Sequence, residues 1–180
     1  ITEEKEQVLG LLAIKLRTRK AFAECSPNLH MIVATLRCNC LCKYCHASSI
    51  DMSAKQYDMG WETARKTIDL IFQSPSDDIK IEYQGGEPLL NWDIVKESIL
   101  YAKFVNKIAR KNLSFVICTN LMQISKEQID FFKKHSIEIS TSLDGPKQLH
   151  DTNRKSRIFE SSYDKFIENS KLVRDCAPLL

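Results

Sequence analysis

The chain has 180 residues, 43% of them apolar and 27% charged, as expected of a folded globular domain with one sizeable core. Its 26 Lys and Arg stand against 23 Asp and Glu, and the basic clusters Arg17–Lys20 and Lys107–Lys111 lie among apolar residues at helical spacing, so no nucleic-acid partner is implied. No apolar run is long enough for a bilayer span, the N-terminus lacks a signal peptide's layout, and seven cysteines suit reduced thiols or metal ligands better than disulfides, so no membrane association and a cytoplasmic location are expected.

Residues 3–22 place Val8, Leu11, Leu12, Ile14, Leu16 and Phe22 among charges and predict an amphipathic helix. After Ser26-Pro27-Asn28, the run Met31-Ile32-Val33-Ala34 reads as a strand buried on both faces. Trp61, Ala64, Ile68, Ile71 and Phe72 form a helical stripe, and Ile79, Ile81 and Tyr83 alternate with polar residues as a strand does. Asn91 is placed to cap a helix running to about Lys111, with Ile94, Val95, Ala102, Val105 and Ile108 inward; Leu113–Cys118 is again strand-like.

Ser125 and Gln128 have capping-box spacing and start a short helix to about Lys134; Ile137–Ser142 is a fourth strand. Ser162 is placed to cap a last helix with Tyr163, Phe166, Ile167 and Leu172 buried. Strands alternating with helices imply an α/β fold with a parallel sheet and right-handed crossovers, either doubly wound or an arc of a β/α barrel. Both place ligands at the carboxyl ends of the strands, in the loops after residues 36, 84, 118 and 142.

The first of those loops carries Cys38-Asn39-Cys40-Leu41-Cys42-Lys43-Tyr44-Cys45. Thiolates of Cys38, Cys42 and Cys45 can hold three irons of a [4Fe–4S] cube and leave the fourth open to a chelating ligand such as an amino acid. A structural zinc site is the competing reading, with Cys42-x-x-Cys45 as half of a knuckle and His46 or a distant side chain completing it. Cys40 is an extra thiol, and Cys118, ending a buried strand, reads as core.

Cys38-x-x-x-Cys42-x-Tyr44-Cys45 resembles the cluster motif of the radical S-adenosylmethionine (SAM) enzymes. That resemblance implies a partial (β/α) barrel and two cofactors, a [4Fe–4S] cluster and SAM. In the family an electron from the cluster cleaves SAM, and the resulting radical takes hydrogen from the substrate. Gln84-Gly85-Gly86-Glu87-Pro88 looks like the family's GGE segment, in which glycines let the chain approach a ligand and Glu87 offers an acceptor for the cofactor's ammonium.

Thr119 and Asn120, Ser142 of Ser142-Leu143-Asp144-Gly145-Pro146, and Tyr44 are expected to bind the cofactor by the same resemblance. Each pair of turn formers is equally an ordinary turn. His150-Asp151-Thr152-Asn153-Arg154 resembles an HDxxR segment whose Arg154 clamps the cofactor carboxylate; a surface ion pair between Asp151 and Arg154 is the plain alternative.

These segments together resemble the peptide-modifying branch, including sulfatase-maturating enzymes. Leu16-Arg17-Thr18-Arg19-Lys20, His30-Met31 and Thr35-Leu36-Arg37-Cys38-Asn39 look most like maturases of His-Xaa-Ser repeat peptide systems. The branch implies a peptide or protein substrate and a ferredoxin- or flavodoxin-type electron donor. Residues 1–26 are expected to be a helical extension and 27–180 the front part of the core domain, about four of the family's six strand units. A chain that starts at Ile1 and stops there reads as a piece of a longer protein, with a non-catalytic zinc module or an inactive cluster-binding remnant as the alternatives to an enzyme.

Overall fold

The computed structural model describes residues 3–20 and 27–176. The first half contains helix α1 (Glu3–Lys20), strands β1 (Leu29–Thr35) and β2 (Cys40–Cys42), helix α2 (Trp61–Ile71), strand β3 (Asp78–Gly85) and helix α3 (Trp92–Ala109). Strand β4 (Asn112–Cys118), helix α4 (Lys126–His135), strand β5 (Ile137–Ser140), helix α5 (Lys147–Asn153), strand β6 (Arg154–Ser156) and helix α6 (Ser162–Cys176) follow.

β1, β3, β4 and β5 form one sheet in that spatial order, and every neighbouring pair is parallel. Each crossover steps one place in the same direction, so right-handed connections put the helices on one face. The sheet is therefore an arc of a β/α barrel; a doubly wound sheet reverses its order at a switch point. Ile81 of β3, Phe115 and Ile117 of β4 and Ile139 of β5 face the helices and pack with Ile68 of α2, Ile99 of α3, Phe132 of α4 and Val173 of α6. Burial of side chains this size contributes about 1.5–3 kcal/mol each.

The other sheet face carries Met31 and Val33 of β1, Glu82 and Gln84 of β3, and Cys118 of β4. Strand alternation puts Cys118 on this face because Ile117 takes the core side, so the expectation of a core cysteine is corrected. The Ser125–Gln128 capping box is present, both hydrogen bonds formed.

Several boundaries move. Ile108 is 85% exposed, because it lies across the helical wheel from Val95, Ile99 and Ala102. Leu172 is exposed for the same reason, and Val173 takes its place in the core. The cap of α6 shifts by one residue: Ser161 Oγ accepts the Asp164 N–H at 3.1 Å, while Ser162 donates to Asp151. Asn91 does not cap α3 with its side chain, which donates instead to the carbonyls of Ala34 and Met59. β5 ends at Ser140, two residues early.

α1 is helical, but Val8, Leu9, Leu11, Leu12, Ile14 and Leu16 are all exposed and run round more than half the wheel, so it has no single apolar stripe. Phe22 and Cys25 lie outside the described residues. The elements absent from the sequence reading are α5 and the antiparallel pair β2–β6, in which Cys40 faces Ser156 and Cys42 faces Arg154.

Candidate cluster and cofactor site

β1 delivers the chain to the cysteine loop, and Arg37 anchors it there. The Arg37 guanidinium is buried and makes two 2.7 Å contacts to the Asp58 carboxylate, with further bonds to the carbonyls of Met52 and Leu90. Thr35 Oγ1 donates to the same carboxylate at 2.6 Å. The loop also closes on itself through Cys38 N–H to the Ile50 carbonyl and Ile50 N–H to that of Leu36.

Cys38 and Cys40 are buried and Cys42 and Cys45 half-buried, all as free thiols. Hydrogen bonding from the Cys40 thiol brings Cys42 down to about 7 and lowers Cys38 as well; the donor Cys40 is itself driven far up. Cys38 Sγ further accepts from the Cys40 N–H at 3.4 Å and from Asn120 Nδ2 at 3.8 Å. Both shifts favour the charged forms of Cys38 and Cys42, the form that binds iron. Among the described residues no three His, Cys, Asp or Glu side chains gather round one point to hold a single ion. A cube gives each thiolate its own iron, so spread thiols on one rim fit it.

β3 ends in the segment Gln84-Gly85-Gly86-Glu87. Both glycines are needed for a reason the sequence did not show: they press on the cysteine loop. A β-carbon on Gly85 would meet the Thr35 carbonyl oxygen at 2.2 Å, and Gly85 also has φ +132°. Gly86 N–H and Glu87 N–H donate to the carbonyls of Thr35 and Arg37, each at 2.8 Å.

Glu87 is 2% exposed and turned away from the cavity described below. Its carboxylate accepts the N–H groups of Leu89 at 3.1 Å and Asn120 at 2.9 Å, and burial pushes it up to about 7. It braces the turn after β3 to the turn after β4. Gln84, half-buried, donates to Glu82 and to Met31 Sδ.

The turn after β4 is closed by its own side chains. Thr119 Oγ1 accepts the Leu121 N–H at 3.1 Å and Asn120 Oδ1 the Met122 N–H at 2.9 Å, with Leu121 held at φ +61°. Asn169 of α6 donates to the Leu121 carbonyl at 2.6 Å, and Asn120 Nδ2 reaches Asn39 Oδ1 at 2.7 Å.

Ser142 is exposed on the loop after β5. Arg154 pairs with Asp144, not with Asp151: its Nε donates to Asp144 Oδ1 at 2.8 Å, and the Tyr44 hydroxyl donates to the other oxygen. Burial opposes ionisation of Asp144, but the bonds from Tyr44 and Arg154 outweigh it and hold the carboxyl below its ordinary range. Burial and Asp144 push Tyr44 up to about 12. Asp151 serves α6, accepting from Ser161, Ser162 and the Tyr163 N–H.

A cavity of about 440 Å³ opens at the carboxyl edge of the sheet. Cys38, Cys42, Cys45, Tyr44, Gln84, Gly85, Gly86, Thr119, Asn120, Ser142 and Arg154 all line it. Of the candidate residues only Glu87 does not. Cys40, Cys118 and Ser140 line it too, and the alternation of β4 and β5 was the signal that could have found the last two. Asp144, which holds two of the lining side chains, was hidden in a segment that reads as a turn.

A family model described as the radical SAM superfamily matches residues 32–177. The cysteine-type anaerobic sulfatase-maturating enzyme of Clostridium novyi is 30% identical over an alignment of 154 residues that covers 81% of this chain and 40% of that protein. The radical SAM cyclopropyl synthase TigE of Paramaledivibacter caminithermalis is 26% identical over 80% of this chain and 35% of its own length. A solved structure, "Native anSMEcpe with bound AdoMet", superposes with a TM-score of 0.69 at 21% identity, covering 82% of this chain and 40% of that one. At that identity the likeness shows the fold. The chain spans less than half the length of the curated relatives it matches.

Proposed function

The chain belongs to the radical SAM superfamily, and we propose that it forms the cluster- and cofactor-binding part of an enzyme that takes hydrogen from a peptide or protein substrate. Membership implies a [4Fe–4S] cluster and SAM as cofactors. The observation that carries the reading is the convergence of Cys38, Cys42 and Cys45 with polar groups from three strand ends on one cavity.

In this reading Cys38, Cys42 and Cys45 hold the cluster, and Cys40 donates a hydrogen bond rather than binding iron. When bound, the cluster supplies reductive cleavage of SAM and so the radical that acts on the substrate. Gln84 and the Gly85–Gly86 backbone face the cavity where an ammonium can be met by acceptors, and Thr119, Asn120 and Ser142 offer polar groups to the rest of the cofactor. Glu87 acts from behind, fixing Asn120. Arg154, which lines the cavity with its Nε on Asp144, has its outer guanidinium nitrogens to offer a carboxylate, and Tyr44 supplies an aromatic wall.

The peptide substrate is supported by what the relatives are named for, sulfatase maturation, and by a related structure described with a bound peptide. A ferredoxin or flavodoxin is the donor this chemistry asks for, and the free thiols suit a reducing cytoplasm. Residues 1–26 are assigned as an extension and 27–180 as the front of the core domain. No described helix is long and apolar enough to cross a membrane.

The test is anaerobic reconstitution with iron and sulfide, then dithionite and SAM, with 5′-deoxyadenosine as the product measured. The expected result is about four irons per chain and cleavage, both lost in Cys42→Ala. Zinc retained in place of a cluster would overturn the reading.

A further inference from the structure

We infer that Asp144 is a positioning residue for the cysteine loop, locking Arg154 and Tyr44 against the strand that carries Cys40 and Cys42. Asp144 bonds both partners at once, one oxygen to Arg154 Nε at 2.8 Å and the other to the Tyr44 hydroxyl. The Arg154 guanidinium lies over the Tyr44 ring, 5.4 Å from its centroid. The Arg154 backbone pairs with Cys42 across the β2–β6 ladder, and the Lys43 N–H closes the same pair on the Asn153 carbonyl at 2.9 Å. A single carboxylate therefore fixes the residue facing Cys42 and the residue two beyond it.

Asp144 has a firm base. Its N–H donates to Nδ1 of the buried His150 at 3.3 Å, and Asp151 next to that histidine is tied into the start of α6. The two ring-and-turn segments of the sequence, Ser142–Pro146 and His150–Arg154, are thus one frame. They hold the cluster loop through contacts separate from those of Arg37 and Gly86. The Asp144 and Arg154 side chains are only 13% and 17% exposed, so water screens the pair in part.

The pair also sets one positive and one negative charge beside Cys42. This electrostatic part rests on the cluster assignment proposed above; the locking of the loop does not. Reduction adds a negative charge to a cluster, so removing the Asp144 charge favours the reduced form and removing the Arg154 charge disfavours it.

Hydrogen exchange on the iron-free protein tests the lock. Asp144→Asn is expected to speed exchange at Lys43 and its β2 neighbours tenfold or more while β3 and β4 stay protected, with Asp144→Glu restoring part of the protection. Unchanged exchange over 40–43, or an equal loss over β3 and β4, overturns it. On the reconstituted protein the cluster midpoint potential is expected to rise in Asp144→Asn and fall in Arg154→Gln. Shifts of the same sign, or none, overturn the electrostatic part. If the unaltered protein takes up no cluster, the cluster assignment fails and the exchange result still decides the lock.

Discussion

Gly86 and Arg37 touch so closely that a β-carbon on the glycine would lie 2.2 Å from the arginine's carbonyl oxygen. Backbone cannot yield as a flexible side chain does. Gly86→Ala is therefore expected to push the cysteine loop off the end of β3, to cost about 1–3 kcal/mol in denaturant unfolding, and to lower iron bound per chain after reconstitution.

Asp58→Ala is expected to cost more, about 3–5 kcal/mol, because it leaves the buried Arg37 guanidinium without its carboxylate. The measurement is the urea midpoint.

Glu87 titrates differently in the folded and unfolded chain. Burial raises it from 4.5 to about 7, so the folded state keeps a proton that the unfolded chain releases. Stability from this source is full below about pH 4.5 and is lost as pH rises to about 7, on the order of 3 kcal/mol in all. Glu87→Gln should flatten that part of the pH profile of the unfolding midpoint, although its single amide oxygen leaves an acceptor for only one of the Leu89 and Asn120 N–H groups.

Cys40→Ala is expected to leave about four irons per chain after reconstitution, in contrast to Cys42→Ala. Its effect should fall on rate of loading, since Cys38 and Cys42 lose the thiol that stabilises their charged forms. Loss of the cluster in Cys40→Ala would show that this thiol, not Cys38, is a ligand.

Asn169→Ala removes the donor that holds the Leu121 and Met122 carbonyls. Leaving those buried acceptors unpaired should cost about 1–3 kcal/mol, seen as a lower melting temperature, and should free the turn that carries Asn120.

Much of this was legible because the fold repeats one rule. Ile79, Ile81 and Tyr83 alternate as a strand must, Ser125 and Gln128 carry their own cap, and the Cys38–Cys45 spacing specifies a chemistry. What escaped the sequence is what three residues cannot advertise. β2 and β6 are too short for periodicity, and their partners are far apart in the chain. Glu87 and Arg154 were read as groups aimed at a ligand, since a motif shows which side chain is present and not which neighbour occupies it. The glycines were read as points of close approach to a ligand, and the close approach the structure shows is to the protein's own backbone. Ile108 and Leu172 show the limit of listing apolar residues without following the wheel round.

The pairing of Cys42 with Arg154 also has a schedule. The cysteines leave the ribosome more than a hundred residues before the strand that will flank them, which at roughly 5–20 residues per second is a delay of roughly 5–20 s. Through that interval the thiols have no fixed register and are open to oxidants and stray metals. The β2–β6 register around the cysteines can therefore form only once residues 154–156 have been made, and iron bound earlier would meet a loop without that frame.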